Sequence, residues 1–513
     1  MHKKIFKPIK MGGATALLAV TSLISYAIGL GRDKVIAFNF GATTATDAYN
    51  ASFIIPDMLF NLFIAGALAA AFLPVFSEHL VKDKEKAHQI ANTILTGGTL
   101  LITIIAILAF IFMEHLVPFI FLSDDPELQK SIINMTRLML PSAILFAISN
   151  TLGNILMSYK HFMAYSLSPI LYNLGIILGV IFLNESFGIY SAAIGVLIGA
   201  ILHATVRVID TIFTGYKYKP ELKLKDPAFK KIVKLMIPKT ISLIAWQINL
   251  YIFTFVGLKL SEGSVAAFNF ARNIQSFPVS LFGIAFATAV FPYLTTTISE
   301  NDKEKYTEHT QKTIQRILFF TIPAMVGIML LSKPLVQLIL GGGEFDENAI
   351  NLTASILFFF AISIPFESLV HILARAFYAK QNTLTPMIIN LSAMTVISLI
   401  TLYVAPQYGA KWFSIGFSIG FAFQVFILAI ALKKELHKFK TSIFITSIGK
   451  ILVSSLIMAI AILMLQNSLH STNIITTLVQ ITAGATVFLI TAAALKLEEI
   501  SSVQYIIQRC LKK

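Results

Sequence analysis

The chain is short of charge and almost without cysteine and tryptophan. Only 13% of its 513 residues are Asp, Glu, Lys or Arg, against about 25% in a soluble protein. That deficit removes the polar surface a soluble chain of this length would show to water. The single cysteine, Cys510, excludes an intramolecular disulfide and a cysteine metal cluster. Nucleotide signatures are missing too. Gly29-Leu30-Gly31 is followed by no dinucleotide fingerprint, and no P-loop occurs. No cofactor is implied, and any energy must come from gradients or mass action. His203 and His371 stand alone on their helices, where a packed histidine is commoner than a catalytic one. The Gly341–Gly343 run reads as a turn in a loop.

What is present is apolar: 56% of residues, with a mean hydropathy of +0.78. Runs such as Leu100–Phe112, Leu167–Leu183 and Ile451–Leu465 are nearly free of charge. With their flanks they reach the ~20 residues needed to cross ~30 Å of hydrocarbon. Backbone groups in lipid must be satisfied within the segment, so such runs form helices. The pattern predicts an all-α membrane protein of about fourteen transmembrane helices, near 11–38, 47–77, 90–113, 131–158, 161–183, 187–210, 231–258, 264–297, 310–331, 350–378, 384–404, 411–432, 443–466 and 474–496. The first run, from Met11, is longer than the ~7–15 residues of a signal-peptide core and is expected to be retained.

A net charge of +14 would suit nucleic acid if the basic residues shared a soluble face. They sit instead between apolar runs. With the N-terminus inside, the inside segments hold 29 Lys and Arg and the outside segments six. That bias is the positive-inside pattern, with both ends in the cytoplasm, and leaves no nucleic-acid partner.

The two halves resemble each other. Ala48-Tyr49-Asn50 and Pro74 recur as Ala267-Phe268-Asn269 and Pro292. Lys84-Glu85-Lys86 recurs as Lys303-Glu304-Lys305. Ser168-Pro169 with Asn173 recurs as Thr385-Pro386 with Asn390. The offsets are 219, 218, 219 and 217. A repeat of six helices, an even number, gives two copies of one orientation, related by an axis along the membrane normal. This predicts six-helix lobes at 1–215 and 230–435 and a separate helix pair at 443–496.

Few charges fall inside the spans: Arg137, Lys239, Arg272, Arg375 and Lys450, with Asp57 and Glu367. A charge at a helix centre costs about 2.5–3.5 kcal/mol, which makes each one a functional hypothesis. Lys239, Arg375 and Lys450 can snorkel, and Arg137 can pair with a neighbouring helix. Arg272 lies too deep to snorkel easily and is expected to line a cavity as an anion ligand. Arg32 either faces the cavity mouth or is an interface arginine neutralised by Asp33. Asp47 either orients one of these cations or caps the second helix. Glu367 is a proton or cation site or the partner of Arg375. Asp57 follows Pro56 at a kink and is a coupling residue or a structural one. The net +3 of the spans suits a large amphiphilic anion, because guanidinium binds phosphate bidentately.

These residues carry a resemblance. Gly29-x-x-Arg32-Asp33, Ala45-Thr46-Asp47-Ala48, Pro56 and Gly66-Ala67-x-x-x-Ala71-Phe72-x-Pro74 are similar to the amino-terminal signature of the MurJ (MviN) lipid II flippases. Arg272 with Phe277-Pro278 and Pro292 resembles their helix 8. Leu373-Ala374-Arg375-Ala376-Phe377-Tyr378-Ala379-Lys380-Gln381-Asn382-Thr383-x-Thr385-Pro386 resembles their helix 10–11 junction. The resemblance spans nearly the whole chain. It implies a multidrug/oligosaccharidyl-lipid/polysaccharide exporter fold, alternating access, and a lipid groove at helices 13 and 14. It implies flipping of lipid II in the bacterial inner membrane, with Arg32, Asp47 and Arg272 at positions required for flipping. Membrane lipids and the cell-wall synthesis machinery are the further partners it implies. The chain departs from the family where Tyr26 replaces a helix 1 arginine, Phe60 and Asn61 an arginine pair, and Ala65 a glutamate. A sodium site of some members uses acids in helices 7, 11 and 12, which these spans lack. Two alternatives are a flippase for another lipid-linked glycan and a drug/cation antiporter. An antiporter for cations would place acids in the amino lobe.

The charge pattern makes a direct prediction. Reporter fusions after Lys225 and Lys438 should read cytoplasmic, and fusions near Asp125 and Glu344 external. One reversed fusion among the four would undo the helix count or the orientation.

Overall fold

A computed structural model describes residues 11–63, 67–121, 125–469 and 473–500. Ala65, Cys510 and the side chain of Lys239, named above, lie outside the described residues. The described chain is helical throughout, and its one β-bridge, Gly342 to Phe345, closes the turn expected from the triple glycine. The helices are α1 (Met11–Phe40), α2 (Thr44–Ala51), α3 (Ile54–Phe63), α4 (Ala67–Lys82), α5 (Lys84–Phe121), α6 (Pro126–Ser158), α7 (Met163–Phe187), α8 (Tyr190–Ile212), α9 (Pro227–Gly257) and α10 (Ser264–Pro278). A π-helical segment, Val279–Ile284, leads into α11 (Ala285–Ser299). Then follow α12 (Lys303–Leu330), α13 (Ser332–Ile339), α14 (Glu347–Ala379), α15 (Leu384–Tyr403), α16 (Ala405–Tyr408), α17 (Lys411–Lys433), α18 (Thr441–Ser468) and α19 (Ile474–Ala494).

Eleven helices among the described residues are long and apolar enough to cross a membrane. The other three expected spans fall on α1, on the broken run α2 to α4, and on α9. Apolar side chains point outward as a lipid-facing surface requires. On α5, Ile104, Ile107 and Ile111 are all more than half exposed, which a protein in water rarely tolerates over a continuous face.

The chain divides into two compact units. Unit 1 comprises 1–266 with the short segment Gly342–Asp346, and unit 2 comprises the rest. This departs from the boundary expected at 215–230. Helix α9 packs on α3, α4 and α5 and so belongs to unit 1. The expected separate pair, α18 and α19, packs on itself and on α12 within unit 2.

Unit 1 is built around a close pairing of α7 and α8. Gly175 and Gly179 on α7 face Gly199 and Gly195 on α8. A side chain on Gly179 would come within 2.5 Å of the Gly195 Cα, and one on Gly199 would run into the Tyr172 carbonyl. In lipid no hydrophobic force drives helices together, so small residues at four-residue spacing supply contact by letting backbones approach. A second core gathers Phe72, Phe76, Ile90 and Ile155. In unit 2, Phe319, Ile372, Leu428 and Phe488 are buried together. The Tyr306 hydroxyl donates to the Ala376 carbonyl at 2.9 Å, inside that core.

Gly199→Leu should therefore abolish assembly of unit 1. The full-length protein should be lost from the membrane or elute as aggregate on size exclusion. A monodisperse Gly199→Leu protein at normal abundance would contradict the close packing.

Candidate functional site

Three groups of polar residues stand where hydrocarbon would penalise them. The first is in unit 1. Arg32, near the end of α1, donates through Nε and Nη2 to Asp33 Oδ1 at 3.0 and 2.7 Å and through Nη1 to Asn173 Oδ1 at 3.0 Å. Tyr49 and Tyr172 lie within electrostatic reach of its guanidinium, and Asp57 within reach of both tyrosines. Of the two readings open for Arg32, the neutralising contact with Asp33 is present. The sequence did not anticipate Asn173 as its second partner. Asp57 sits in the first turn of α3, and its carbonyl accepts from Asn61 at 3.0 Å.

The second group is the entry to α10. Asp47 is buried, 4% exposed. Its two oxygens accept the backbone N–H groups of Gly263 and Ala266 at 2.9 and 2.8 Å. Of the two roles expected for Asp47, the capping one is visible here, but on another helix: it caps the residues that open α10, not its own helix. Glu262 answers it, accepting the Thr44 amide and hydroxyl at 3.0 Å each. The paired positions Thr44 and Glu262, and Asp47 and Ala266, are separated by 218 and 219 residues. That separation is the repeat offset of the sequence, so equivalent positions of the two copies meet here. The fit is tight: Gly263 has φ +77, and a side chain on it would strike the Ala42 carbonyl. Beside it, the Glu344 amide donates to the Phe38 carbonyl at 2.9 Å.

The third group is in unit 2. Arg272 lies eight residues into α10, about 12 Å from its start and about two turns before the π-helical segment. π segments within α-helices recur at functional sites. Gln275 Nε2 donates to Glu367 Oε2 at 2.8 Å and to Ser363 Oγ at 3.0 Å. Arg272 is within electrostatic reach of the Glu367 carboxylate. The expected partnership of Glu367 with Arg375 is absent. Eight residues along one helix separate them by about 12 Å. Arg375 instead donates to Thr288 Oγ1 at 2.9 Å and to its own helix at the His371 carbonyl. Arg272, Glu367 and Gln275 therefore form one site, and Arg375 another.

Arg207 escaped the sequence reading, which counted it in a cytoplasmic loop. It is 3% exposed within α8. It donates to Ser168 Oγ at 2.8 Å, the Ser149 carbonyl at 3.0 Å and Asn150 Oδ1 at 3.1 Å, and lies over the Tyr165 ring. Nearby, His161 Nδ1 and Asp210 Oδ1 are 2.8 Å apart and both buried. Among the described residues these partners of Arg207 are neutral, which suits a structural cation more than a site. Arg137 pairs with Glu114 at 3.2 Å and lies over Phe110, as its expected pairing with a neighbouring helix required. No group of three or more metal-binding side chains occurs among the described residues. An apolar crevice of about 400 Å³ in unit 2 is lined by Phe319, Phe320, Met458, Ile481, Gly484 and Phe488.

With this geometry in place, the relatives can be set beside it. The family model described as lipid II flippase MurJ matches residues 36–484. The chain is 26% identical to a lipid II flippase MurJ of Burkholderia cenocepacia, over 82% of this chain and 84% of that one. It is 25% identical to a probable lipid II flippase MurJ of Thermotoga maritima, over 95% and 98%. A solved structure of a lipid II flippase MurJ in an inward closed conformation superposes with a TM-score of 0.82 at 26% identity, covering 94% of this chain and all of that one. An inward-facing multidrug exporter of the MATE family has a TM-score of 0.66 at 17% identity, a likeness of fold alone.

Asp47→Ala should remove both backbone acceptors at the opening of α10. The loss of one helix cap costs about 0.5–2 kcal/mol, so the thermal midpoint of the purified protein should fall, with Asp47→Asn intermediate. An unchanged midpoint for Asp47→Ala would show that the capping contacts carry no stability.

Proposed function

The chain belongs to the MurJ family of lipid II flippases, and on that premise we propose that it carries an undecaprenyl-diphosphate-linked peptidoglycan precursor from the inner to the outer leaflet of the bacterial cytoplasmic membrane. It is a multi-pass membrane transporter. In this reading it has fourteen spans, two copies of six and a final pair, and both termini lie in the cytoplasm. The charge count of 29 against six supports that orientation.

One observation carries the reading: each unit holds an arginine with a resident carboxylate beside it. Arg32 has Asp33 at 2.7 Å, and Arg272 has Glu367 within electrostatic reach. Without cargo the acid keeps the cation from standing uncompensated in a low-dielectric setting. A diphosphate brings more negative charge and a pair of oxygens matched to the guanidinium fork. It can take over the cation from the carboxylate, and on release the carboxylate takes it back. Binding is then an exchange of counterions, so neither loading nor unloading strands a charge in hydrocarbon. Glu367 remains tethered by Gln275 when Arg272 turns to cargo, and the charge it then carries is a coupling point for a proton or cation. The apolar crevice along α12, α18 and α19 offers a seat for the polyprenyl tail.

Arg272→Ala should fail to complement depletion of the host flippase, and Arg272→Lys should complement partly, because ammonium cannot engage two phosphate oxygens in a fork. The alanine variant also deprives Glu367 of its cation. Breaking such a pair costs up to about 3–5 kcal/mol when fully buried, so abundance should fall. Arg272→Ala/Glu367→Gln should restore abundance without restoring growth. Growth supported by either alanine variant at normal levels would remove Arg272 from the mechanism.

A further inference from the structure

The opening of α5 and the connection between α8 and α9 enclose a cavity that translocation does not use. Its volume is about 440 Å³, and Lys84, His88 and Gln89 of α5 line it together with Lys217, Lys219 and Glu221 of the connection. The connection runs across α5 without helical structure from residue 216 to 223, and its side chains alternate. Tyr216 turns to the helix and donates to Asn92 Oδ1 at 2.5 Å, and the Tyr218 hydroxyl meets Thr96 Oγ1 at 3.0 Å. Leu222 covers Gly97, where a side chain would meet its Cδ2 at 3.4 Å. The residues between them, 217, 219 and 221, turn to the cavity. The Lys223 amide donates to Thr93 Oγ1 at 3.3 Å, and Lys86 pairs with Asp226, which caps α9. The wall is thus held at both ends and along its length.

The groups in the cavity call for a ligand of two parts. Three lysines from two elements line it, Lys84, Lys217 and Lys219, and ammonium groups suit phosphate oxygens. Glu85 also lines the cavity, and with Glu221 it leaves the five charged groups at a net +1. One oxygen of Glu221 is buried and accepts no hydrogen bond. The Lys223 ammonium lies 3.8 Å from it, beyond hydrogen-bond reach. A buried carboxylate oxygen left so is costly and calls for a donor. Tyr218, Leu222 and Leu224, each more than half exposed, flank the same connection. Their apolar surfaces suit a bilayer interface, where basic pockets beside membrane helices take phosphate headgroups.

We propose that this cavity binds a phosphate ester that also carries a hydroxyl or amine donor, the lysines holding the phosphate and Glu221 the donor. A glycerophospholipid headgroup and a soluble phosphate ester share that chemistry. The test uses the full-length protein in detergent and titration calorimetry with three probes: dihexanoyl phosphatidylglycerol below its micelle concentration, glycerol 3-phosphate, and inorganic phosphate. Lys217→Ala/Lys219→Ala should weaken binding of the ester probes by about tenfold or more. Lys225→Ala/Lys230→Ala, an equal loss of charge outside the cavity, should leave it within about twofold. Glu221→Gln should weaken the esters and spare inorganic phosphate. Binding of the lipid probe alone identifies a headgroup site, and binding of both esters a site for soluble phosphate esters. Failure of both esters to bind, or equal weakening by the two lysine pairs, would overturn the proposal. The four lysines are exposed and Glu221 is partly exposed, and an unchanged melting midpoint certifies that each variant is folded.

Discussion

A polar group that enters hydrocarbon must find its partner inside the protein, and most of what distinguishes this structure follows from that constraint. Arg32, Arg207 and Glu367 lie on helices among apolar neighbours, where an unanswered polar group is costly. Arg32 is answered by Asp33 and Asn173, Arg207 by two serines and an asparagine, and Glu367 by Gln275. The partners differ in kind. Arg207 is held by neutral acceptors on two helices, α6 and α7. Arg32 has the Asp33 carboxylate at 2.7 Å, and Arg272 lies within electrostatic reach of Glu367.

The same constraint governs helix ends. The first amides of a helix need acceptors, and α10 finds them in Asp47 while Thr44 finds one in Glu262. The helix that starts at this cap is the one that carries Arg272 and then loosens into a π-helical segment.

Much of this was legible in the sequence. Apolar runs and proline positions gave the helices, the scarcity of charge inside them pointed to Arg272 and Glu367, and Arg32 and Asp47 stood out at the span ends and in the family resemblance. Other features were hidden for physical reasons. Lys and Arg counts report which side a segment faces and not its depth, so Arg207 looked like a loop residue although it lies within α8. Sequence proximity suggested Arg375 for Glu367, but a straight helix keeps residues eight apart out of reach, and the true partner, Gln275, lies 92 positions away. Asp47 was recognisable as a cap, but not as the cap of a helix 217 positions downstream. The lobe boundary looked natural at the charged connection near 215–230, yet α9 buries its surface on unit 1. Hydrophobic patterning reports that a helix has a face to bury and is silent on which neighbour covers it.

The account rests on movement of a lipid-linked diphosphate, and reconstitution measures that most directly. Purified protein in liposomes carrying a labelled undecaprenyl-diphosphate-linked precursor on one leaflet should expose the label on the opposite leaflet far faster than protein-free liposomes do. A labelled lipid of equal chain length without the diphosphate should stay where it began. Equal rates with and without protein, or equal movement of the uncharged lipid, would contradict the account.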